Sequence, residues 1–513
     1  MSIALLNDQE CIKSAVKNMD IAFTDTPVAD TTTNIWSVIY DRAYLQSVLH
    51  QSFTHASQAE HETLLSITLP VSLCDPLRIF NAFAQLEIGD RFYWERPAEK
   101  RALVGVGSTK TIETSGTAYV AGAAAAWREL QAHSLVHIAP GTVPLHTSGP
   151  VLVGGFTFDV LNVQTALWED FPAGLLILPA LLFHCDEESA ALTMNSLLPY
   201  PCHSDDTEQL IGKIEDTLQR LHTIMSSAVV PKPAVDAGEL VVQDLLPSAD
   251  WQQQVADAVQ KIRQGAFEKV VLARAVSIGQ AQPFDIELTL QRLRQSYPGA
   301  HVFAVQRGKR YFVGATPERL VCGAEGQIKT IALAGSAPRG ATEEDDERLG
   351  MELLNSPKNQ GEHHVVVTTI RNVLARLCSR VWVADAPHLL KLKNIQHLET
   401  PIMGDLLPGH SILEAIEDLH PTPAVGGYPR QPALAAIRSM EHLDRGWYAS
   451  PIGWIGRSGN GEFAVALRSA LVDGSNATLF AGCGIVADSD PEGEYQESCL
   501  KLQVMLRGLG GEK

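Results

Sequence analysis

Between residues 267 and 340 the chain carries the strand-like segments FEKVVLARAV, HVFAVQ, RYFVGATPERLV and KTIALAGSAPRG, and only then a long helical run from about Glu343 through Arg376. Strands gathered ahead of helices do not fit a regular doubly wound sheet, which needs a helix after each strand, so the pattern predicts a mixed or antiparallel α+β core. Upstream, RFYWERP, ALVGVGS, the helical GTAYVAGAAAAWREL and VLVGGFTFDV alternate strand-like and helix-like character with short turns. The first seventy or so residues are irregular in pattern, and TDTPVADTTTN reads as loop. A polar stretch near residue 240, PKPAVDAGELVVQD, divides residues 1–247 from an amphipathic helix, WQQQVADAVQKIRQG, and the remainder, 248–510.

At 513 residues, with 45% hydrophobic and 19% charged, the chain is long enough for a sizeable core and for either several domains or one large enzyme domain. Its formal net charge of −19 argues against nucleic acid or an anionic membrane as a non-specific partner, since both need a basic field. An anionic substrate would need locally concentrated cations. The start MSIALLNDQE has no basic segment leading into an apolar one, and GLLILPALLF is short and broken by Pro179, so a soluble cytoplasmic protein is expected. The eight cysteines form no C-x-x-C pair, which points to neither a zinc site nor a disulfide scaffold.

Three segments carry candidate chemistry. In AGCGIVADSDPEGEYQE a glycine-rich turn, Gly482-Cys483-Gly484, allows close backbone approach to a ligand and leads into a helix with Glu494, Glu497 and Lys501 on one face. Such carboxylates could hold a hard divalent cation; the plainer alternative is an exposed i,i+4 pair of Glu497 and Lys501. In FEKVVLARAV, alternation sends Lys269 to one face and Arg274 to the other; in a cleft, a desolvated Lys269 near Arg274 could lose its proton and act as a base, whereas a snorkelling lysine is the structural alternative. Glu318, in VGATPERL, follows Pro317 at a strand end; burial would keep it protonated as a general acid, against a simple ion pair with Arg319. Within the long helix, Glu362, Val366, Thr369 and Val373 form one stripe, so Glu362 could face inward, while His363 and His364 are expected to pack rather than bind metal.

Taken in order, FEKVVLARAV, GATPERL, LAGSAPRG, KNQGEHHVVV, HPTPAVGG, RGWYASPIGW, FAVALRSALV and AGCGIVADSDPEGEYQESCLK resemble the chorismate-utilising enzymes, and within them the isochorismate synthases, across about residues 248–510. RFYWERP and GGFTFD extend the resemblance to the longer members, the menaquinone type. It implies one large α+β domain, two stacked β-sheets surrounded by helices, which binds chorismate and Mg²⁺ in a cleft. By that resemblance Lys269 is the base that activates water for attack at C2, and Glu318 the acid that protonates the departing C4 hydroxyl. Glu362 and Glu497 would be Mg²⁺ ligands with Glu494 in support, completed to an octahedron by a substrate carboxylate and waters. Arg468, Lys501, Tyr448, Gly482 and Gly484 would hold the substrate carboxylates, Gly335 and Ser336 the ring carboxylate, and His397 would line the site.

Subfamily identity rests on fewer positions. Ala334 stands where aminodeoxychorismate synthases carry a nucleophilic lysine, and Lys269 where anthranilate synthases lack the base, so water is the expected nucleophile. Ala424, in HPTPAVGG, stands where salicylate synthases tend to carry threonine, which favours stopping at isochorismate, while Tyr448 and Leu467 suit either activity. Ser450 departs from the more usual glycine after RGWYA. The alternatives are a salicylate synthase, an anthranilate synthase component I, or a silent chorismate-binding protein.

Overall fold

Strand His301–Arg307 shows why the apolar runs of this chain do not alternate with polar residues. Phe303 and Val305 face one hydrophobic core while Val302 and Ala304 face another, so both faces of the strand are buried. The computed structural model describes residues 42–143, 145–201, 204–227, 240–391 and 395–511. Among them a 13-stranded and a 10-stranded sheet, with eleven α-helices around them, form one α+β domain, as expected. Among the described residues all strand pairings but one are antiparallel; Thr63–Val71 runs parallel to Ser134–Ile138.

Both sheets are continuous across the two halves of the sequence. In the larger sheet His301–Arg307 pairs with Arg91–Arg96, and in the smaller Pro451–Gly456 pairs with Val151–Phe156. The core between the sheets collects Phe92, Trp94, Phe303 and Phe312 from the larger sheet with Phe156, Leu176, Ile452 and Phe463 from the smaller. Helices Arg42–Gln58, Pro76–Leu86, Ile286–Ser296 and Pro491–Gly508 cover the outer face of the larger sheet. Helices Tyr119–Ala132, Pro357–Leu377, Ile412–Leu419 and Arg430–Met440 bury their apolar stripes in the first core. None of the described helices is long and apolar enough to cross a membrane.

Four local readings change. The expected irregular start contains helix Arg42–Gln58, whose Leu45, Val48, Leu49, Phe53 and Ala56 recur at helical spacing, and strand Thr63–Val71; TDTPVADTTTN lies outside the described residues. The long helix is two, Glu343–Asn355 and Pro357–Leu377. Pro357 cannot continue the first because its ring removes an N–H donor, and the Ser356 side chain accepts from Asn359 N to cap the second. Helix Ile286–Ser296 interrupts the first strands, N-capped by Asp285. Gly482 and Gly484 lie within strand Asn476–Ile485 rather than in a turn.

Candidate functional site

Two links carry the chain from one sheet to the other side by side. Strand Arg310–Thr316 belongs to the larger sheet and Arg319–Ala324 to the smaller, so Pro317 and Glu318 span the gap. Returning, Gly461–Val465 belongs to the smaller sheet and Ser469–Asp473 to the larger, so Ala466, Leu467 and Arg468 span it in the opposite sense. The links are stitched by Val465 N donating to Glu318 O at 2.9 Å and Ala315 N donating to Arg468 O at 3.1 Å. Arg468 has φ of 50° and Ala449 of 59°, left-handed backbone that non-glycine residues adopt at a cost and that gathers at functional sites.

Lys269 begins strand Lys269–Gly279 of the larger sheet, next to Asn476–Ile485. Gly484 makes room for it: a Cβ there would lie 2.8 Å from Lys269 Cε. The lysine donates to Glu362 Oε1 at 2.8 Å, so Glu362 does turn inward from its helix. Arg274 takes no part, since it is engaged on the other face by Asp244, Ser498 and the Tyr495 ring. Lys269 therefore faces Glu362 and not Arg274. The turn with Ala424 is tied to this strand through Val271 N donating to Gly426 O at 3.0 Å.

A fully buried ion pair beneath, Arg445 with Glu441 at 2.7 Å, joins these pieces. Arg445 donates to Val425 O and Val271 O, and Glu441 accepts from Ala273 N. Neither residue was picked out from the sequence, although an i,i+4 charge pair running into RGWY was a visible signal. Ser450 turns its hydroxyl into the framework, donating to Phe156 O at 2.6 Å, so the departure from glycine is absorbed by a backbone contact.

Helix Pro491–Gly508 starts from an Asp490 cap that accepts from Gly493 N. Its first turns bring carboxylate oxygens of Glu494 and Glu497 and the Cys483 thiol within 4.8 Å of one another. Burial, with the Glu497 charge adding to it, pushes the Glu494 carboxyl up. Cys483 donates to Glu494 O, and burial pushes its thiol up to about 12. The donors that remain are hard anionic oxygens under mutual repulsion, which suits Mg²⁺. Glu362 is not part of that cluster and is held by Lys269. Lys501 pairs with Glu497 at 2.6 Å and donates to Gly482 O at 2.8 Å.

Glu318 makes no ion pair with Arg319, whose guanidinium meets Glu462 at 2.8 Å instead. Burial pushes the Glu318 carboxyl up to about 7, against the opposing charges of Lys269, Lys501 and Arg468. Arg468 has no carboxylate within 4.0 Å among the described residues, and burial lowers its pKa from the ordinary arginine range. On the smaller sheet, Gly335 sits at a bulge with φ of 77°, and the next residue, Ser336, meets His397 Nδ1 at 2.8 Å. Burial, then the charges of Lys501 and Arg468, brings His397 down to about 4, so it is neutral at pH 7. His363 packs as expected, bridging Ala334 O and Thr400 Oγ1. Tyr448 is buried against Phe480, 5.2 Å between ring centroids, and burial raises its hydroxyl.

Residues 49–510 match the family model described as chorismate binding enzyme. The chain belongs to that family. It is 38% identical over 476 residues, 92% of this chain and 98% of the other, to the isochorismate synthase MenF of Bacillus subtilis. It is 36% identical over 91% of its length, and 95% of the other, to the salicylate biosynthesis isochorismate synthase of Pseudomonas aeruginosa. Among solved structures it resembles the menaquinone-specific isochorismate synthase MenF from Escherichia coli, with a TM-score of 0.70 and 27% identity, covering 91% of this chain and 99% of that one.

Proposed function

We propose that the protein is an isochorismate synthase, an isomerase that adds water at C2 of chorismate and expels the C4 hydroxyl, with menaquinone synthesis as the use of its product. Likeness over nine-tenths of the chain to proteins of that name supports the reading. The observation that carries it to mechanism is a Glu318 carboxyl, on the link between the sheets, raised to about 7 by burial within the field of Lys269 at the start of a strand. Lys269 removes the proton of the attacking water; Glu318 gives its proton to the leaving hydroxyl as the double bonds shift. One water enters and one leaves, so no redox partner is needed.

The cations hold the dianionic substrate. Arg468, without a protein carboxylate, takes one carboxylate, and Lys501 with the Gly482 and Gly484 backbone supports it. Gly335, Ser336 and neutral His397 face the ring carboxylate, with Tyr448, Leu467 and Ala424 shaping the remainder. Glu494 and Glu497, joined by Glu362, would hold Mg²⁺, which when bound neutralises the substrate carboxylate and carboxylate ligands together. Incubation of the protein with chorismate and Mg²⁺, followed by chromatographic separation, should give isochorismate with no pyruvate above an enzyme-free control. Stoichiometric salicylate and pyruvate would replace this reading by a salicylate synthase, anthranilate from added ammonia by an anthranilate synthase, and unchanged chorismate by a binding protein.

A further inference from the structure

Glu318 poses a question that its role as an acid does not answer. No hydrogen bond or ion pair holds its carboxyl among the described residues, so the aim of the acid depends on its backbone. That backbone is the two-residue link Pro317-Glu318 between strands of different sheets, where no ladder supports it. Its hydrogen bonds are few. Val465 N donates to Glu318 O at 2.9 Å, and Glu318 N donates to the hydroxyl of Thr316 at 3.3 Å.

Thr316 is wholly buried, and its hydroxyl works in both directions: it accepts from Glu318 N and donates to Val465 O at 2.5 Å. One side chain thus ties the link carrying Glu318 to the end of the strand that leads into Arg468. The Arg468 side depends on it less. Ala466 N donates to Ser450 O, Ala449 N to Ala466 O, Ala315 N to Arg468 O, and Ser469 Oγ to Ala466 O. Removing the hydroxyl would leave Glu318 N without this partner, while Val465 O keeps Leu467 N at 2.7 Å, so the change frees the acid more than the cation.

We propose that Thr316 is a positioning residue that fixes the aim of Glu318 through the backbone of the link, a role that rests on the assignment of Glu318 as the acid. The effect falls on turnover rather than on substrate binding, because Arg468 keeps its other supports.

Thr316→Val removes the hydroxyl at constant shape, Thr316→Ser keeps it, and Thr316→Ala is the second removal variant should the valine not yield folded protein. With chorismate and Mg²⁺, the removal variant should lose about ten- to a hundredfold in kcat, since small misplacements of reacting groups cost on that order. KM should stay within about threefold, and Thr316→Ser should restore most of kcat. Glu318→Gln runs alongside. If the wild type makes no isochorismate, or Glu318→Gln is as active as the wild type, the parent assignment falls. If both controls behave as assigned, a removal variant with kcat within about twofold of wild type, or a serine variant as impaired as valine, overturns the role of Thr316 alone.

Discussion

Glu318→Gln separates an acid that works because it is buried from one that is only packed there. With its pKa pushed to about 7 from 4.5, about half of the Glu318 carboxyls carry the proton at pH 7, against roughly one in three hundred for an ordinary glutamate. With Glu318 as the proposed acid, that proton goes to the departing hydroxyl, so kcat/KM should fall as pH rises through about 7 in the free enzyme. Stability falls in the same direction. Because the folded pKa lies above the unfolded one, the folded state binds more protons between them, and stability falls as pH rises from 4.5 to about 7. The full loss is about 3 kcal/mol above that window. An uncharged glutamine does not suffer it. Glu318→Gln should therefore melt a few degrees above wild type at pH 8 and close to it at pH 4.5, while losing about 10²- to 10⁴-fold in kcat. Calorimetric melting across pH 4.5–8, with pH profiles of the wild type, measures both. A melting difference that does not change with pH, or a wild-type kcat/KM flat from pH 6 to 9, would refute the buried-acid account.

Lys269→Ala should lose about 10²- to 10⁴-fold in kcat while still binding chorismate in a calorimetric titration. Glu362→Gln and Glu497→Gln should each weaken Mg²⁺ binding measured by calorimetry with chorismate present, and Glu494→Gln should do less. Gly484→Ala places a methyl 2.8 Å from Lys269 Cε, so it should lower kcat while the melting temperature changes by only a few degrees. Glu441→Gln leaves the Arg445 charge without its buried partner, and chemical denaturation should show a loss of about 3–5 kcal/mol.

The reach of the sequence is uneven for physical reasons. Grouped strands announced an α+β core because strand alternation and turn residues are local. Lys269, Glu318, Glu494, Glu497 and Lys501 were visible as charged groups in or beside apolar and glycine-rich segments, a pattern that costs free energy unless it serves something. Convergence was out of sight. That Glu318 and Arg468 lie on neighbouring links follows from Thr316 and Ser469 belonging to one sheet and Arg319 and Val465 to the other. No spacing encodes that arrangement. Gly482 and Gly484 read as a turn because glycine is a turn former in general, yet both pair with Lys269–Gly279 in a strand, where Gly484 leaves room for the Lys269 side chain and Gly482 for the Tyr448 hydroxyl. The Arg445–Glu441 pair stayed unread because an exposed helical pair and a buried one look alike in one dimension.

The first half of the chain contributes none of the proposed acid, base or metal groups, yet the site could not stand without it. The RGWYAS segment, which carries Tyr448, is not part of a sheet and needs its backbone groups satisfied elsewhere. Trp168 Nε1 donates to Asp444 O, Phe158 N and Thr157 Oγ1 to Gly446 O, and Trp447 Nε1 to Pro172 O. Ser450 Oγ then donates to Phe156 O. Every partner in that set comes from residues 156–172, and the same stretch packs Trp168 and Phe171 against Phe312 and Phe480 or Trp447. Gly446, with φ of 47°, has the Trp168 ring where a Cβ would point, so the close approach itself is selected. Residues 156–172 thus bear on the proposed site at one remove, by holding the wall against which Tyr448 and the Arg468 link are set.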